Sequence, residues 1–213
     1  MERSKLSRKE RDKLRHKEEI LEAALLLFSG KGFHNVSMQE IAEQSEFGVG
    51  TLYKFFESKD TLFEELMKNA ANHVMDIISK ILDGPGNAEE RLAAFIRHQP
   101  DFQEQHGELI KLYVSEFGIK GSKLSKIHNE SGVSKVISSK LARLIEEGIN
   151  EGLFRSVDPS IAAKSLEATV ETLIFETSGN FDRKKATEKF EKVEKLFLDG
   201  LLIPGGQNDE QHD

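Results

Sequence analysis

The chain has 213 residues, of which 38% are hydrophobic and none is Cys. It can therefore bury one large core or two smaller ones, and it excludes disulfides, thiol redox sensing, thiolate metal sites and a Cys nucleophile. It contains no uninterrupted apolar run near ~20 residues and begins with a polar segment, which predicts a cytoplasmic protein without a membrane span or a secretory signal. Only four Pro residues and a wealth of Leu, Ala, Glu and Lys favour an all-α fold.

The net charge of −7 is distributed unevenly along the chain. Residues 1–17 carry eight Lys and Arg residues against three acidic ones, residues 1–60 balance, and residues 61–213 hold the whole acidic excess. An acidic body would be repelled by DNA while a basic arm is attracted, which would orient the protein on approach. In isolation the basic run is equally typical of a solvated, disordered tail. Beside the helices described next, a phosphate-contacting arm is the better interpretation.

Caps and breakers predict the helices in chain order, because Ser, Asn and Asp favour helix starts while Gly and Pro favour helix ends. Pro100 follows the fifth of these helices and is expected to bend or end it. The predicted helices are Lys9–Ser29, two within Val36–Phe56, Ser58–Leu82, one opened by Asn87, Glu108–Gly118, Val133–Glu151, Pro159–Ser178 and one opened by Asp182, with a loop over Gly121–Ser125.

The segment from Val36 to Phe56 predicts two short helices joined by a tight turn. Ser37 is suited to cap the first helix, and Gly48 is the residue free of Cβ strain where the chain must reverse. The second helix carries Leu52 and Phe56 at i, i+4 on its core side. Its opposite face is small, hydroxylated, aromatic and basic, which is typical of a helix that contacts phosphates and base edges in a major groove.

At these residues the chain resembles the tetracycline-repressor (TetR) family of bacterial and archaeal regulators. The helix-turn-helix of that family commonly runs through an Ile-Ala pair to a Gly-x-Leu-Tyr-x-x-Phe segment and a following Lys, here Ile41-Ala42, Gly50 to Phe56 and Lys59. The turn departs from the family pattern of a small residue and Gly, then an apolar residue and Ser or Thr, since this chain has Ser45-Glu46-Phe47-Gly48. Gly48 offers no hydroxyl to a phosphate, so one contact made by relatives is expected to be missing.

The resemblance implies an N-terminal three-helix DNA-binding domain joined to a larger helical domain for ligand binding and dimerisation. The expected boundaries are 1–56 for the DNA-binding domain with its basic arm, 57–204 for the larger domain and 205–213 for a disordered tail. The helix that starts at Ser58 would link the two domains and carry a ligand signal. The predicted DNA contacts are Ser37, Gln39, Gly48, Val49, Gly50, Thr51, Tyr53, Lys54 and Lys59.

The last two predicted helices indicate an assembly surface. One carries a stripe of small residues that permits close helix approach, the other repeats apolar residues on one face, and neither has an evident partner left in the chain for all of this surface. Pairing with the same helices of a second copy would form a four-helix bundle, as is usual among TetR relatives, and an ordinary intrachain core is the alternative. The predicted interface comprises Ala162, Ser165, Thr169, Thr172, Phe190, Val193, Phe197 and Leu201.

Aromatic residues on the helices of the larger domain have two interpretations. Most such side chains are ordinary core, but TetR relatives hold an apolar effector between these helices, and a pocket of that kind needs aromatic walls with a few polar anchors. The predicted effector contacts are Phe95, Phe102, Tyr113, Phe117, Glu171 and Phe175, with Glu116 and Glu167 as further candidate anchors.

Patterns that mark catalysis or metal binding are missing from the sequence. It has no Gly-rich phosphate loop, no Gly-x-Ser-x-Gly elbow and no HExxH, and Pro100 breaks the helical register between His98 and His106, so neither a cofactor nor a metal is expected. The sequence predicts a homodimeric repressor that leaves a near-palindromic double-stranded DNA operator when a small apolar or amphipathic effector binds. The alternatives are a DNA-bound protein-interaction factor on the same scaffold and, more distantly, a helical enzyme.

Overall fold

The computed structural model describes residues 7–117 and 132–203, and the fold over these residues is all-α. The predicted loop at Gly121–Ser125 and the predicted tail after Pro204 lie outside the described residues. A short 3₁₀ turn, Phe33–Asn35, follows the first helix. The α-helices are α1 Arg8–Lys31, α2 Met38–Gln44, α3 Val49–Phe55, α4 Lys59–Leu82, α5 Ala88–Arg97, α6 Gln99–Gln105, α7 Gly107–Phe117, α8 Val133–Asn150, α9 Pro159–Thr177 and α10 Arg183–Leu201.

The predicted helix caps are confirmed where side chains can be compared. Asn87 accepts from the Glu90 N–H at 2.9 Å to open α5, and Asp158 accepts from the Ile161 N–H at 2.9 Å to open α9. The helix opened by Asn87 ends at Arg97, shortly before Pro100, but Pro100 itself lies in the first turn of α6, a short helix that the sequence pattern did not predict. Pro is tolerated there because the first helical N–H groups have no intrahelical partner.

The described residues form two compact units. The first comprises residues 7–72 together with 108–117, so it contains α1 to α3, much of α4 and nearly all of α7. It therefore extends beyond the predicted boundary at residue 56. Its core includes Ile20, Ile41 and Leu52, which are fully buried, and also Leu112 from α7, which is fully buried in the same cluster. The predicted DNA-binding domain, called the head below, is thus completed by a helix that lies far from it in the sequence.

The second unit comprises residues 73–107 and 132–203, and its core joins α5, α8, α9 and α10. The apolar stripe of α10 belongs to this core, since Phe190, Val193 and Leu201 are all buried within their own chain. The expectation that this stripe has no partner within the chain is therefore wrong for these three residues. Phe197 and Ala162 are only partly buried against the same core.

A close approach within the second unit depends on Gly148. The end of α8 is a Schellman motif, as predicted from Gly152 and Leu153: Gly152 has φ +73°, and the Leu153 N–H donates to the Gly148 carbonyl at 2.9 Å. The chain then returns so closely that a Cβ at position 148 would lie 2.2 Å from the ring of Phe154. Phe154 is itself fully buried, so its ring has little room to move.

We expect Gly148→Ala to lower the free energy of unfolding by about 2 kcal/mol, because overpacking a rigid core costs ~1–3 kcal/mol and outweighs the gain in helix propensity. Denaturant unfolding followed by far-UV circular dichroism measures the change. The matched control is Gly30→Ala in α1, where a Cβ would meet no atom within 4 Å. That variant should be as stable as the wild type or up to about 1 kcal/mol more stable. Equal responses from the two variants would contradict the close approach.

Candidate nucleic-acid interface

The first helix of the predicted helix-turn-helix is fixed by a capping box and an ion pair. The Ser37 hydroxyl accepts from the Glu40 N–H at 3.2 Å, and Glu40 accepts in return from the Ser37 N–H at 2.9 Å. Lys31 donates to Glu40 at 2.8 Å. These bonds, led by that from Lys31, lower the pKa of Glu40 to about 2. Their stabilising effect is present above the ordinary value of 4.5 and is lost as the pH falls towards 2.

The turn between α2 and α3 is built differently from the prediction. Gly48 has φ −69° and ψ 141°, an extended conformation open to any residue, and it caps α3 without a side chain. The residue in the left-handed region is Glu46, with φ 59°. It occupies the position at which the TetR pattern has Gly. Phe47 packs beside His16 of α1, with 5.1 Å between the ring centroids, so the turn is held against α1 despite the strained residue.

We expect Glu46→Gly to raise the free energy of unfolding by about 1 kcal/mol, since the left-handed conformation costs an ordinary residue ~1–2 kcal/mol and costs Gly almost nothing. The control is Glu43→Gly, which places the same substitution inside α2 and should lower stability by about 1 kcal/mol. Thermal and urea denaturation of the two variants should therefore differ in sign. A loss of stability in both would mean that Glu46 contributes more by its side chain than it costs by its backbone.

Helix α3, the second helix of the predicted helix-turn-helix, has a buried side and an open side. Leu52 is fully buried and Phe56, just past the helix, is 4% exposed in the core of the first unit. On the other side Tyr53 is 54% exposed, Lys54 is also exposed, and Gly50 has no atom within 4 Å of the place its Cβ would occupy. Of the remaining predicted contacts, Ser37, Gln39 and Gly48 are exposed, and Val49 and Thr51 are half-buried.

Lys59 differs from the rest of the predicted DNA contacts. Its ammonium group donates to the backbone carbonyls of Phe33 at 2.8 Å and Val36 at 2.7 Å, and it lies 4.5 Å from the centroid of the Phe33 ring. The side chain therefore joins the start of α4 to the segment before α2. Two of its three N–H donors bind backbone carbonyls within the first unit. The observed contacts of Lys59 are therefore structural and are not those of a free phosphate-binding cation.

Two contacts that the sequence did not predict attach α7 to the same head. Glu116, considered above as an effector anchor, is 8% exposed and accepts from the Phe33 N–H at 3.1 Å. One end of α7 is also bound, since the Ser29 hydroxyl donates to Glu108 at 2.5 Å. Residues 83 and 79 positions apart make these bonds, so no local pattern signals them. The effector role considered for Glu116 is replaced by a structural one.

The basic segment before the head is helical over the residues that can be described. Ser7 caps α1 by accepting from the Glu10 N–H at 3.3 Å, and the exposed Lys and Arg residues that follow lie on the first turns of this helix. Lys17 pairs with Glu65 at 3.0 Å. From Arg8 onward the predicted arm is therefore an extension of α1 and not an irregular tail.

The predicted effector residues fall in both units. Phe95 is buried in the core of the second unit, Phe102 and Phe175 are half-buried there, and Glu171 is exposed on α9. Tyr113 is half-buried in the first unit, while the side chain of Phe117 lies outside the described residues. Glu167, the other candidate anchor, accepts from the hydroxyls of Ser134 and Ser138.

Three histidines meet in the second unit. The rings of His73 and His106 are 4.9 Å apart, and His106 is 4.8 Å from the Phe102 ring. Burial, followed by the nearby His73 and His98, lowers the pKa of His106, which favours the neutral form of its ring. Among residues 7–117 and 132–203, no group of three or more His, Asp and Glu side chains is arranged to hold a metal ion.

Comparison with known proteins decides the family. Residues 20–66 match the sequence profile described as "Bacterial regulatory proteins, tetR family". The HTH-type transcriptional regulator YvdT of Bacillus subtilis is 30% identical over 138 residues, which cover 62% of this chain and 71% of YvdT. The chain belongs to the TetR family. The matched residues 20–66 include the second half of α1, all of α2, the turn and all of α3.

Solved TetR-type structures share the fold beyond the head. FadR, a fatty acid degradation regulator from Bacillus halodurans, superposes with a TM-score of 0.72 at 21% identity, covering 90% of this chain and 99% of FadR. FadR from Bacillus subtilis, whose structure was solved in complex with stearoyl-CoA, superposes with a TM-score of 0.71 at 20% identity, covering 86% of this chain and 98% of FadR. Across the described part of the chain, no helix has both the length and the apolarity needed to cross a membrane.

Proposed function

We propose that this TetR-family regulator is a homodimeric repressor that binds a near-palindromic operator and leaves it when an apolar or amphipathic effector binds. The observation that carries the proposal is the open face of α3: Gly50, Tyr53 and Lys54 face outward from a helix whose other side is fully packed. A small residue, a ring with a hydroxyl and a cation together suit close approach to a duplex, phosphate contact and base reading. One such helix reads only a few base pairs, so two heads are needed.

The dimer surface that we propose is the outer side of α9 and α10. Ile161 is 66% exposed and begins a row of small residues, Ser165, Ala168 and Thr172, that are exposed at helical spacing. On α10, Leu196 is 68% exposed and is followed one turn later by Gly200. Exposed apolar side chains next to small residues are typical of a helix-packing surface that a second copy covers.

The effector site that we propose lies in the second unit, near the half-buried rings of Phe102 and Phe175. Relatives support this class of function: the fatty acid metabolism regulator of Bacillus subtilis is 21% identical over 184 residues, and the Bacillus subtilis FadR structure contains stearoyl-CoA. The described residues suggest no catalytic group, and a regulator needs none, so we propose that the protein is not an enzyme.

Footprinting on the promoter of the protein's own gene tests the DNA-binding proposal. We expect protection of two half-sites about one helical turn (~34 Å) or somewhat more apart. Lys54→Ala should weaken binding and also relax the base preference at one position in each half-site by ~1–3 kcal/mol, as measured by titration of operator variants. A uniform loss on every operator variant would reduce Lys54 to a phosphate contact, and protection of a single half-site would contradict the dimeric repressor.

A further inference from the structure

Gln103 is a buried polar side chain in the second unit whose hydrogen bonding is incomplete. It lies on α6 and is 3% exposed. The Thr177 hydroxyl, at the end of α9, donates to Gln103 Oε1 at 2.5 Å. Within the part of the chain that the structure describes, Gln103 Nε2 has no hydrogen-bond partner although the atom is fully buried. Buried side-chain amides are normally paired, so this donor requires an explanation.

Turning the amide over does not complete its hydrogen bonding. The Thr177 hydroxyl has one proton, and the carbonyls of Leu173 at 2.9 Å and Ile174 at 3.2 Å are also within its reach. If the proton goes to one of these carbonyls, Gln103 can reverse and donate from Nε2 to the hydroxyl oxygen, but its Oε1 then takes the unpaired position. In either arrangement one end of the amide is satisfied by Thr177 and the other has no partner.

Gln99, one turn earlier on the same face of α6, has an amide that is hydrogen-bonded. It is 7% exposed, and its Nε2 donates to the Phe95 carbonyl at 2.9 Å. Both glutamines are buried on α6, but only the Nε2 of Gln99 has a hydrogen-bond acceptor. A leucine at position 103 would fill similar space without burying an unpaired donor, so the amide is not explained by packing.

Apolar residues lie near the hydrogen-bond partner of Gln103, and charged residues lie on the surface of its helix. The side chains of Leu173 and Ile174, next to Thr177, pack against the core of the unit. At the surface, Arg183 of α10 holds α6 by donating to Asp101 at 2.5 Å and to Glu104. Exposed ion pairs of this kind contribute little stability.

We propose that Gln103 is the polar anchor of the effector site and that the effector is an acyl compound. The carbonyl or carboxylate oxygen of the effector accepts from Nε2 while its alkyl chain lies against apolar side chains such as Leu173 and Ile174. With Thr177 bound to Oε1, such a ligand completes the pairing of the amide. This inference rests on the proposed effector response, but it concerns ligand binding alone and is independent of the operator.

Isothermal titration calorimetry of the full chain without DNA tests the proposal. The probes are dodecanoate and dodecylammonium below their micelle concentrations; the chains are the same length, but the ammonium head donates hydrogen bonds and cannot accept them. The variants are Gln103→Leu and the matched control Gln99→Leu. We expect dodecanoate to bind the wild type and Gln99→Leu alike, to bind Gln103→Leu about tenfold to a hundredfold more weakly, and to bind more tightly than dodecylammonium.

The thermal midpoint without ligand gives a second readout. Gln103→Leu should match or exceed the wild type, because it removes a buried unpaired donor, whereas a fall larger than that of Gln99→Leu would make the amide structural and overturn the proposal. Equal dodecanoate affinity in wild type and Gln103→Leu would also overturn it, as would preferential binding of dodecylammonium or no binding of dodecanoate to the wild type. Operator titration of the same wild-type sample without ligand separates these outcomes from a failure of DNA binding.

Discussion

Ser165→Arg is expected to dissociate the homodimer and to abolish operator binding in the same step. Ser165 is exposed on α9, one turn after the exposed Ile161 and within the row of small residues proposed to pack against a second copy. An arginine in a close helix contact has no room for its side chain, and burying its charge without a partner costs several kcal/mol. Because the proposed near-palindromic operator needs two heads, the operator affinity should fall by at least about 100-fold. Sedimentation equilibrium and operator titration measure the two effects.

Ser139→Arg on α8 provides the control for that experiment. Ser139 is an exposed serine in the same unit, and its hydroxyl donates only within its helix, to the Lys135 carbonyl at 2.8 Å. The control variant should remain dimeric with unchanged operator affinity. A Ser165→Arg protein that is monomeric and still binds the operator fully would disprove dimeric recognition, and one that stays dimeric would place the interface elsewhere.

Gly50→Glu is expected to stabilise the fold and to destroy DNA binding. Gly50 lies in the first turn of α3, where nothing contacts its position, so a side chain gains helix propensity of up to about 1 kcal/mol, and a carboxylate favours a helix start. On DNA the same side chain would meet the duplex with a negative charge. We expect about a 100-fold loss of operator affinity, at the upper end of the ~1–3 kcal/mol typical of a base-reading contact.

A gain in fold stability together with a loss of operator affinity distinguishes a DNA-facing position from a structural one. Gly179→Glu is the matched control, since Gly179 is also exposed with open space around it but lies between α9 and α10. It should leave operator affinity unchanged. If Gly50→Glu kept full affinity, the face of α3 that carries Tyr53 and Lys54 would not be the DNA-reading face.

Local signals predicted most of the helices and the two sides of the recognition helix. Asn87 and Asp158 each accept from an N–H group three residues later, and the Gly152 N–H donates to the Ile149 carbonyl. Each of these caps can therefore be inferred from the residues around it. The spacing of Leu52 and Phe56 likewise fixes which side of α3 is buried and which is open.

The features that the sequence did not predict depend on contacts between residues far apart in the chain, or on a residue type that departs from the usual pattern. The stripe of α10 was predicted to meet a second copy because its intrachain neighbours cannot be identified from periodicity. Lys59 was predicted to contact DNA from the family resemblance, since the carbonyls that it actually contacts belong to residues 23 and 26 positions earlier and no local pattern signals them. Glu46 takes the left-handed conformation at a place where Gly is expected. The sequence pattern therefore placed the reversal of the chain at Gly48, two residues later.

The attachment of α7 to the first unit limits how TetR-type regulators of this kind can be recombined. A head ending at Phe56 would lose the Glu116 carboxylate that accepts from Phe33, and it would lose Leu112 from its core. A chimera made by transplanting only the N-terminal segment onto another regulator would join this head to a foreign α7. Modular exchange of operator specificity therefore requires two segments to be moved together, the N-terminal one and residues 108–117, so DNA-binding and sensing parts are not separable at a single junction.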